Sequence, residues 1–394
     1  MILRQQFLQH IGQTSPSPML IEVERAEGVY LYDGRGKAFF DLISGVSVCN
    51  VGHSNPYIVE AIKRQVDSYM HTMVYGETVQ RVQVEFAVEL CKHFPNGIDS
   101  VYFLNSGAEA IEGALKLAKR ATGRCEVISM KGAYHGSTHG ALSIQGGEEY
   151  KTAFRPLLPQ TRQIRFNSVE DLGYITTATA CVVSEVVQGE AGIILAEQGY
   201  LEALQERCRE VGALLIIDEI QTGLGRTGEI FACTKYGVSP DIICTAKALG
   251  GGLPLGAFAA RKSLMDSLQS NPVLGHITTF GGNPVCCAAG LASLKYLLGN
   301  NLTQSVEAKG KRFEELLISH PKVKEIRRSG LIMAVELGSS DKLFKIMELF
   351  IEEGILSDWF LFCDTAFRIS PPLTITFEEI EEICKKIILC LEGV

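Results

Sequence analysis

The sequence predicts an α/β fold, with a large domain around a mainly parallel central sheet and a smaller α+β domain. Three observations carry that expectation. The apolar runs Val101–Leu104, Ala180–Val183 and Leu214–Ile217 are too short for helices and hardly alternate, as strands covered on both faces do. Between them lie the helical stretches Ala108–Ala121 and Gly199–Glu210, long enough to serve as crossovers. The chain also has the size for this plan: 394 residues, 46% hydrophobic and 21% charged, correspond to roughly two to three domains with a large core.

The segment up to Asn50 is strand-rich. Gly28-Val-Tyr-Leu-Tyr-Asp33-Gly34 reads as a short strand entering a turn, followed by Ala38-Phe-Phe-Asp41. At Pro56 the period turns helical, with Pro at the start and Ile58, Ile62 and Val66 one turn apart. A second helix is expected from Thr78 to Phe94, ahead of the strand–crossover alternation. After Asn283 a long helix leads to strands near Val323–Arg327 and Leu331–Leu337, a helix at Lys342–Gly354 and a last one at Glu378–Leu391. The expected division is 1–50 as an N-terminal segment packing with the small domain, 51–285 as the large ligand-binding domain, and 286–394 as the small domain.

Composition excludes several classes of partner. With 37 Lys and Arg against 45 Asp and Glu, the net charge is −8, and no basic stripe offers itself to nucleic acid. The densest basic cluster, Lys309, Lys311 and Arg312, reads as a solvated helix face. No run approaches the ~18 apolar residues of a membrane helix, and Met1 to Gln13 lacks a signal-peptide core, so no membrane association is expected. Twelve cysteines without any CxxC pair suit a reduced, cytoplasmic protein.

Four constellations could carry chemistry. Leu214-Leu-Ile-Ile-Asp218 is an apolar strand ending in a carboxylate, and ligands of open α/β sheets bind beyond such ends. A cap on the following turn explains Asp218 equally well. Lys247 stands between Asp241-Ile-Ile-Cys-Thr245-Ala and the glycines Gly250, Gly251 and Gly252. An exposed lysine titrates near roughly 10.4, but burial favours the neutral amine, which attacks carbonyls to form a Schiff base. Three glycines beside it would let the backbone approach a flat ligand. Ser106-Gly107-Ala108-Glu109 opens a helix and could cradle a phosphate, although Ser106-x-x-Glu109 is also a capping box. Gly223-Leu-Gly225-Arg-Thr-Gly228 matches GxGxxG formally but lacks the helix and acid of a dinucleotide site, and reads as a loop. His135 and His139 lie four apart without a helical pattern or acidic partner, so no metal site is expected.

Together these segments resemble a class III aminotransferase of the acetylornithine and ornithine type, a pyridoxal 5′-phosphate (PLP)-dependent transferase of fold type I. The resemblance runs from Gly52-His53-Ser-Asn-Pro56 to Arg368-Ile-Ser-Pro-Pro372. Its most specific stretches are Ile217-Asp218-Glu-Ile-Gln221-Thr-Gly-Leu-Gly-Arg226-Thr-Gly and Thr245-Ala-Lys247-Ala-Leu-Gly-Gly-Gly-Leu-Pro.

The resemblance implies that Lys247 holds the cofactor as a Schiff base and moves a proton between substrate and cofactor. It implies that Asp218 faces the pyridine nitrogen and that Ser106, Gly107 and Ala108 hold the phosphate. In Ala133-Tyr134-His135-Gly136 the tyrosine would stack on the ring with His135 beside it, while Gln221 reaches the phenolic oxygen and Glu185 lies in the same site. Thr279 would reach the cofactor phosphate of a neighbouring subunit, which makes the enzyme a homodimer. Arg368 would bind the substrate carboxylate and Glu190 would mask that arginine between half-reactions.

The expected reaction passes an amino group from an amino acid or ω-amine donor to a 2-oxo acid such as 2-oxoglutarate or pyruvate. The alternatives are an intramolecular aminomutase of the glutamate-semialdehyde type and a PLP-dependent decarboxylase. Two positions depart from the acetylornithine pattern. Ser137 stands where many relatives have a second carboxylate-gripping arginine. Trp359, the only tryptophan, could narrow the pocket or simply pack the small domain.

Overall fold

Seven strands form the central sheet, in the order Ser100–Leu104, Gly256–Ala260, Ile242–Thr245, Leu214–Asp218, Thr179–Glu185, Glu126–Met130 and Thr161–Ile164. The structure, a computed structural model, describes residues 3–394; Met1 and Ile2 of the expected N-terminal segment lie outside the described residues. Only Gly256–Ala260 runs against the other strands. Every residue of Thr179–Glu185 and of Ile242–Thr245 is buried, which accounts for the lack of alternation in their sequences.

The crossover helix Gly107–Thr122 is capped by Ser106 and closed by Gly123 in the left-handed conformation, φ 67°. It buries Ile111, Ala114, Leu115 and Ala118 against the sheet. At Gly113 the helix approaches so closely that a Cβ would collide with the Phe258 ring. The helix expected from Thr78 is shorter, Arg81–Cys91, because Gln80 is extended at φ −103° and ψ 116°.

A second apolar core joins the two ends of the chain. Ile355–Leu356 pairs in parallel with Ala38–Asp41 of the N-terminal strands. Glu325–Ser329, Ile332–Glu336, Cys363–Ile369 and Trp359–Phe360 form a separate antiparallel sheet. Phe40, Ile58, Phe313, Phe350, Phe367 and Ile380 belong to this core. The helix Pro284–Gly299 serves both cores, giving Cys287, Leu291 and Leu294 to the first and Ala289, Ala292 and Leu297 to the second. A helix apolar on several sides is the expected form for that position.

The cluster Lys309, Lys311 and Arg312 is not uniformly solvated. Lys309 is buried, and its ammonium donates to the Leu373 carbonyl at 2.7 Å. Its aliphatic stem fills apolar space while the head finds a backbone acceptor.

Gly223–Gly228 is a succession of turns, with φ 88° at Gly225 and 97° at Gly228. Arg226 within it is fully buried and donates to the Leu331 carbonyl at 3.0 Å, the Pro371 carbonyl and the Asn50 side-chain oxygen. Burial draws its pKa down to about 9. One side chain therefore ties this loop to both ends of the chain. Replacing Arg226 with Met keeps the volume but strands three acceptors, each worth about 1–3 kcal/mol when unpaired. The expected outcome of Arg226→Met is a fall of several degrees in the thermal unfolding midpoint, measured by differential scanning fluorimetry.

Candidate active site

A cavity of about 500 Å³ opens beyond the carboxyl ends of the parallel strands. Ser106, Tyr134, Glu185, Asp218, Gln221 and Lys247 all line it, delivered by the ends of five strands or the loops after them, with Asp218 and Gln221 sharing one. Gly107, Ala108, His135 and Glu190 line it as well. Sequence separation within this group exceeds a hundred residues, and the sheet brings its members together.

One wall is the start of the Gly107–Thr122 helix. Ser106 Oγ accepts from the Glu109 amide at 3.2 Å, which is half of a capping box. The reciprocal half differs from expectation. The Glu109 carboxylate accepts from the Asn105 amide at 2.8 Å and from Asn105 Nδ2 at 2.9 Å, rather than from Ser106. Helix-start amides and the positive end of the dipole there suit an anionic group. The approach is kept open by Gly136, φ 125°, where a Cβ would come within 2.6 Å of the Ala108 Cβ.

Two carboxylates stand side by side on the sheet edge, because Asp218 and Glu185 are register partners on adjacent strands. Asp218 Oδ2 accepts from His135 Nδ1 at 2.7 Å, and its other oxygen accepts from the Ile220 amide at 2.9 Å. Burial works to lower the His135 pKa. The hydrogen bond and charge of Asp218, with the charge of Glu185, outweigh it and raise the pKa. Asp218 thus has a positioned partner behind it and an open face toward the cavity. Glu185 accepts from the amides of Tyr134 at 3.3 Å and Gly189 at 3.2 Å, and burial pushes its pKa up to about 8. The Asp218–His135 contact was not foreseen from the sequence, since 83 residues separate the two.

Lys247 sits in the left-handed region, φ 50°, at the turn after Ile242–Thr245. A non-glycine residue there carries roughly 1 kcal/mol or more of backbone strain. Burial lowers its pKa; Glu190 opposes and Arg368 assists. The amine is thereby shifted toward the neutral, nucleophilic form.

The far wall contains a charge cluster. Arg368 Nη2 donates to both oxygens of Glu190, at 2.9 and 3.0 Å, and Arg368 Nε lies 2.9 Å from Asp358 Oδ1. The guanidinium carbon sits 4.6 Å from the centre of the Phe360 ring. Glu190 also accepts from the Leu361 amide at 3.2 Å and from Gln221 Nε2 at 3.4 Å. Glu190 faces the cavity, whereas Arg368 lies behind it and off the wall. Burial raises the Glu190 pKa, but the charges of Arg368 and Lys247 and the hydrogen bonds from Arg368 and Leu361 hold it below the usual carboxylate range.

Three other expected positions take distinct places. Thr279 is exposed and outside the cavity wall, next to Thr278, whose hydroxyl accepts from Asn105 Nδ2 at 3.0 Å. Ser137 lines the cavity and lies 3.3 Å from the Tyr134 hydroxyl, so no cation occupies that spot. The Trp359 indole packs edge-on against Phe344 at 5.2 Å and is 41% exposed, so it does not narrow the cavity.

The arrangement combines a depressed amine, a carboxylate held by a histidine, an anion-accepting helix start and a masked arginine. It suits a flat ligand with an anionic arm and a carboxylate-bearing partner. The model of the family "Aminotransferase class-III" matches residues 11–391. The fold is similar to that of an ornithine aminotransferase from Toxoplasma gondii, at 31% identity and TM-score 0.89, covering 99% of this chain and 94% of that one. That structure has partial occupancy of PLP at its active site. An (S)-enantioselective omega-transaminase from Thermomicrobium roseum is similar at 27% identity and TM-score 0.92, covering 99% and 97% of the two chains. An adenosylmethionine-8-amino-7-oxononanoate aminotransferase from Methanocaldococcus jannaschii is similar at 28% identity and TM-score 0.91, covering 100% and 99%. With a match over nearly its whole length and a cavity furnished in this way, the chain belongs to the class III aminotransferases, PLP-dependent transferases of fold type I.

Proposed function

We propose that the enzyme moves an amino group from an amino acid or ω-amine, of the acetylornithine, ornithine or 4-aminobutyrate kind, to a 2-oxo acid such as 2-oxoglutarate or pyruvate. The observation that carries this reading is the Glu190–Arg368 pair, with Glu190 on the wall of the Lys247 cavity and Arg368 directly behind it. A buried cation covered by a movable carboxylate suits a site that takes a substrate carboxylate in one half-reaction and refuses it in the other. Donors without a carboxylate beside the amine meet Glu190 paired; 2-oxo acids displace it.

The residues present fit PLP. The Gly136 approach and the helix start at Gly107 leave room for a phosphate, Asp218 offers a carboxylate to a ring nitrogen, and Lys247 projects an amine into the same cavity. When bound, the cofactor supplies an electron sink for the bonds at the substrate carbon. Lys247 would hold it through the amine and, once released, carry a proton at Nζ. Asp218, held by His135, would keep the ring nitrogen protonated. Ser106, Gly107 and Ala108 would bind the phosphate, Tyr134 and His135 would flank the ring, and Glu185 and Gln221 would meet its polar edge. Arg368 would orient the substrate by its carboxylate.

Thr279 fits a contribution to a neighbouring active site in a homodimer. It is exposed in its own chain and flanked by exposed Ile277 and Phe280, and exposed Val273 and Leu274 lie just upstream. A cytoplasmic setting suits twelve cysteines of which none is paired. Among the described residues no helix is long and apolar enough to cross a membrane.

Ser137 gives the aminomutase reading its one specific support. A hydroxyl in place of a fixed cation leaves a second substrate carboxylate without a charged anchor in this chain. The same feature favours pyruvate over 2-oxoglutarate as acceptor.

The deciding experiment follows the visible band of the purified holoenzyme on adding acetylornithine, ornithine, 4-aminobutyrate, lysine, putrescine, glutamate or alanine singly, without acceptor. Bleaching by one donor, reversed by a 2-oxo acid, is the expected result. A band that no donor bleaches, with turnover of an amino aldehyde and no second substrate, would replace transamination with the mutase. Lys247→Ala is expected to lower kcat at least about a thousandfold, since it removes both the covalent anchor and the proton carrier. Wild-type turnover in that variant sinks the mechanism. Asp218→Asn is expected to retain bound cofactor, read from absorbance, while kcat falls roughly a hundredfold or more through loss of the ring-nitrogen partner.

A further inference from the structure

Arg368 has a carboxylate on two sides, and only one of them belongs to the cavity. Glu190 stands on the wall and engages Nη2, whereas Asp358 lies off the wall and approaches Nε at 2.9 Å as an ion pair. The backbone fixes Asp358 and Arg368 to one another independently of Glu190. The Arg368 amide donates to the Asp358 carbonyl at 2.9 Å, and the neighbouring Ser357 hydroxyl donates to the Arg368 carbonyl at 2.7 Å. Arg368 is itself registered opposite Ala334 in the antiparallel sheet. Apart from Arg368, Glu190's side chain accepts from the Leu361 amide at 3.2 Å and from Gln221 Nε2 at 3.4 Å. Of the two carboxylates, Glu190 is the one on the cavity wall, where an incoming anion can displace it.

We propose that Asp358 is a positioning residue that holds Arg368 by its Nε edge, so that when Glu190 withdraws the outer nitrogens stay aimed at the cavity and receive a substrate carboxylate. This rests on the reading that Arg368 binds that carboxylate. A buried guanidinium left without any anion would follow Glu190 or turn toward another acceptor, and the Trp359 carbonyl, 3.5 Å from Nη2, is already at hand. With Asp358 in place, one anion remains throughout the exchange. Arg368 Nη1 is buried and has no hydrogen-bond partner among the described residues, which leaves a donor in reserve for the incoming group.

The electrostatics run in the same direction. Burial pushes the Asp358 pKa up to about 6; Arg368 opposes this and the charge of Glu190 adds to it. Withdrawal of Glu190 removes that repulsion, so Asp358 is held more firmly ionised at the moment when it alone faces Arg368.

The test uses the holoenzyme and two unbranched probes, pentanoate and 1-aminobutane, with binding read from the cofactor's visible absorbance. Wild type is expected to bind pentanoate, and Arg368→Lys to lose at least about tenfold in affinity. Asp358→Ala is expected to weaken pentanoate about tenfold while leaving 1-aminobutane within about twofold. Asp358→Asn, which preserves volume and an acceptor, is expected to fall between, at about threefold. It carries the test if the alanine variant does not fold. Wild-type affinity for pentanoate in both Asp358 variants, with loss in Arg368→Lys, overturns the proposal and leaves the role of Arg368 standing. Equal weakening of both probes also overturns it, by making Asp358 merely structural. Undiminished pentanoate binding in Arg368→Lys overturns the carboxylate reading of Arg368 itself.

Discussion

All but one strand of the central sheet run the same way, and everything at the cavity depends on that constraint. Their carboxyl ends share an edge, so the backbone that leaves Leu104, Met130, Glu185, Asp218 and Thr245 turns outward at one place. The middle strands are buried on both faces, and a slip of one residue would exchange those faces entirely. The register sets Asp218 beside Glu185 on one side and Cys244 on the other. A helix start, an amine and two carboxylates meet in the cavity because the parallel strands end on one edge.

The charges that meet there are resolved by dividing the work. Asp218 has His135 at one oxygen and a backbone amide at the other. Glu185, beside it, is kept from full ionisation by burial. Glu190 is kept ionised by Arg368 despite its burial. Two glutamates of opposite proton affinity, Glu185 and Glu190, thus line one cavity, and neighbours rather than residue type decide which carries charge. Lys247, partly exposed and close to Glu190 and Arg368, is governed by the same balance.

Much of this was legible in the sequence. The short apolar runs gave the central strands because parallel strands advertise themselves by lack of alternation. Asp218, Lys247 and Ser106 could be singled out because each stands at a strand end beside turn or helix-start chemistry. Other features had no local signature. Apart from Phe258, Gly256–Ala260 is made of small residues with little strand preference, and its antiparallel direction has no signature in them. His135 gave no sign of its contact with Asp218, and Asp358 none of its contact with Arg368, since both depend on burial that spacing does not report. The solvated reading of Lys309 failed for a related reason: a long apolar stem lets a cation be buried wherever a carbonyl waits for its head.

Arg226 sets a fixed length within the molecule. It follows the strand that carries Asp218 and is bonded to the carbonyl of Pro371, just past Arg368, as well as to Asn50 and Leu331. The guanidinium is short and rigid, and every acceptor it uses is buried. The span between Asp218 and Arg368 is therefore gauged by a third residue that touches neither. The separation of Asp218 from Arg368 is thereby set by packing outside the cavity and not by whatever the cavity holds.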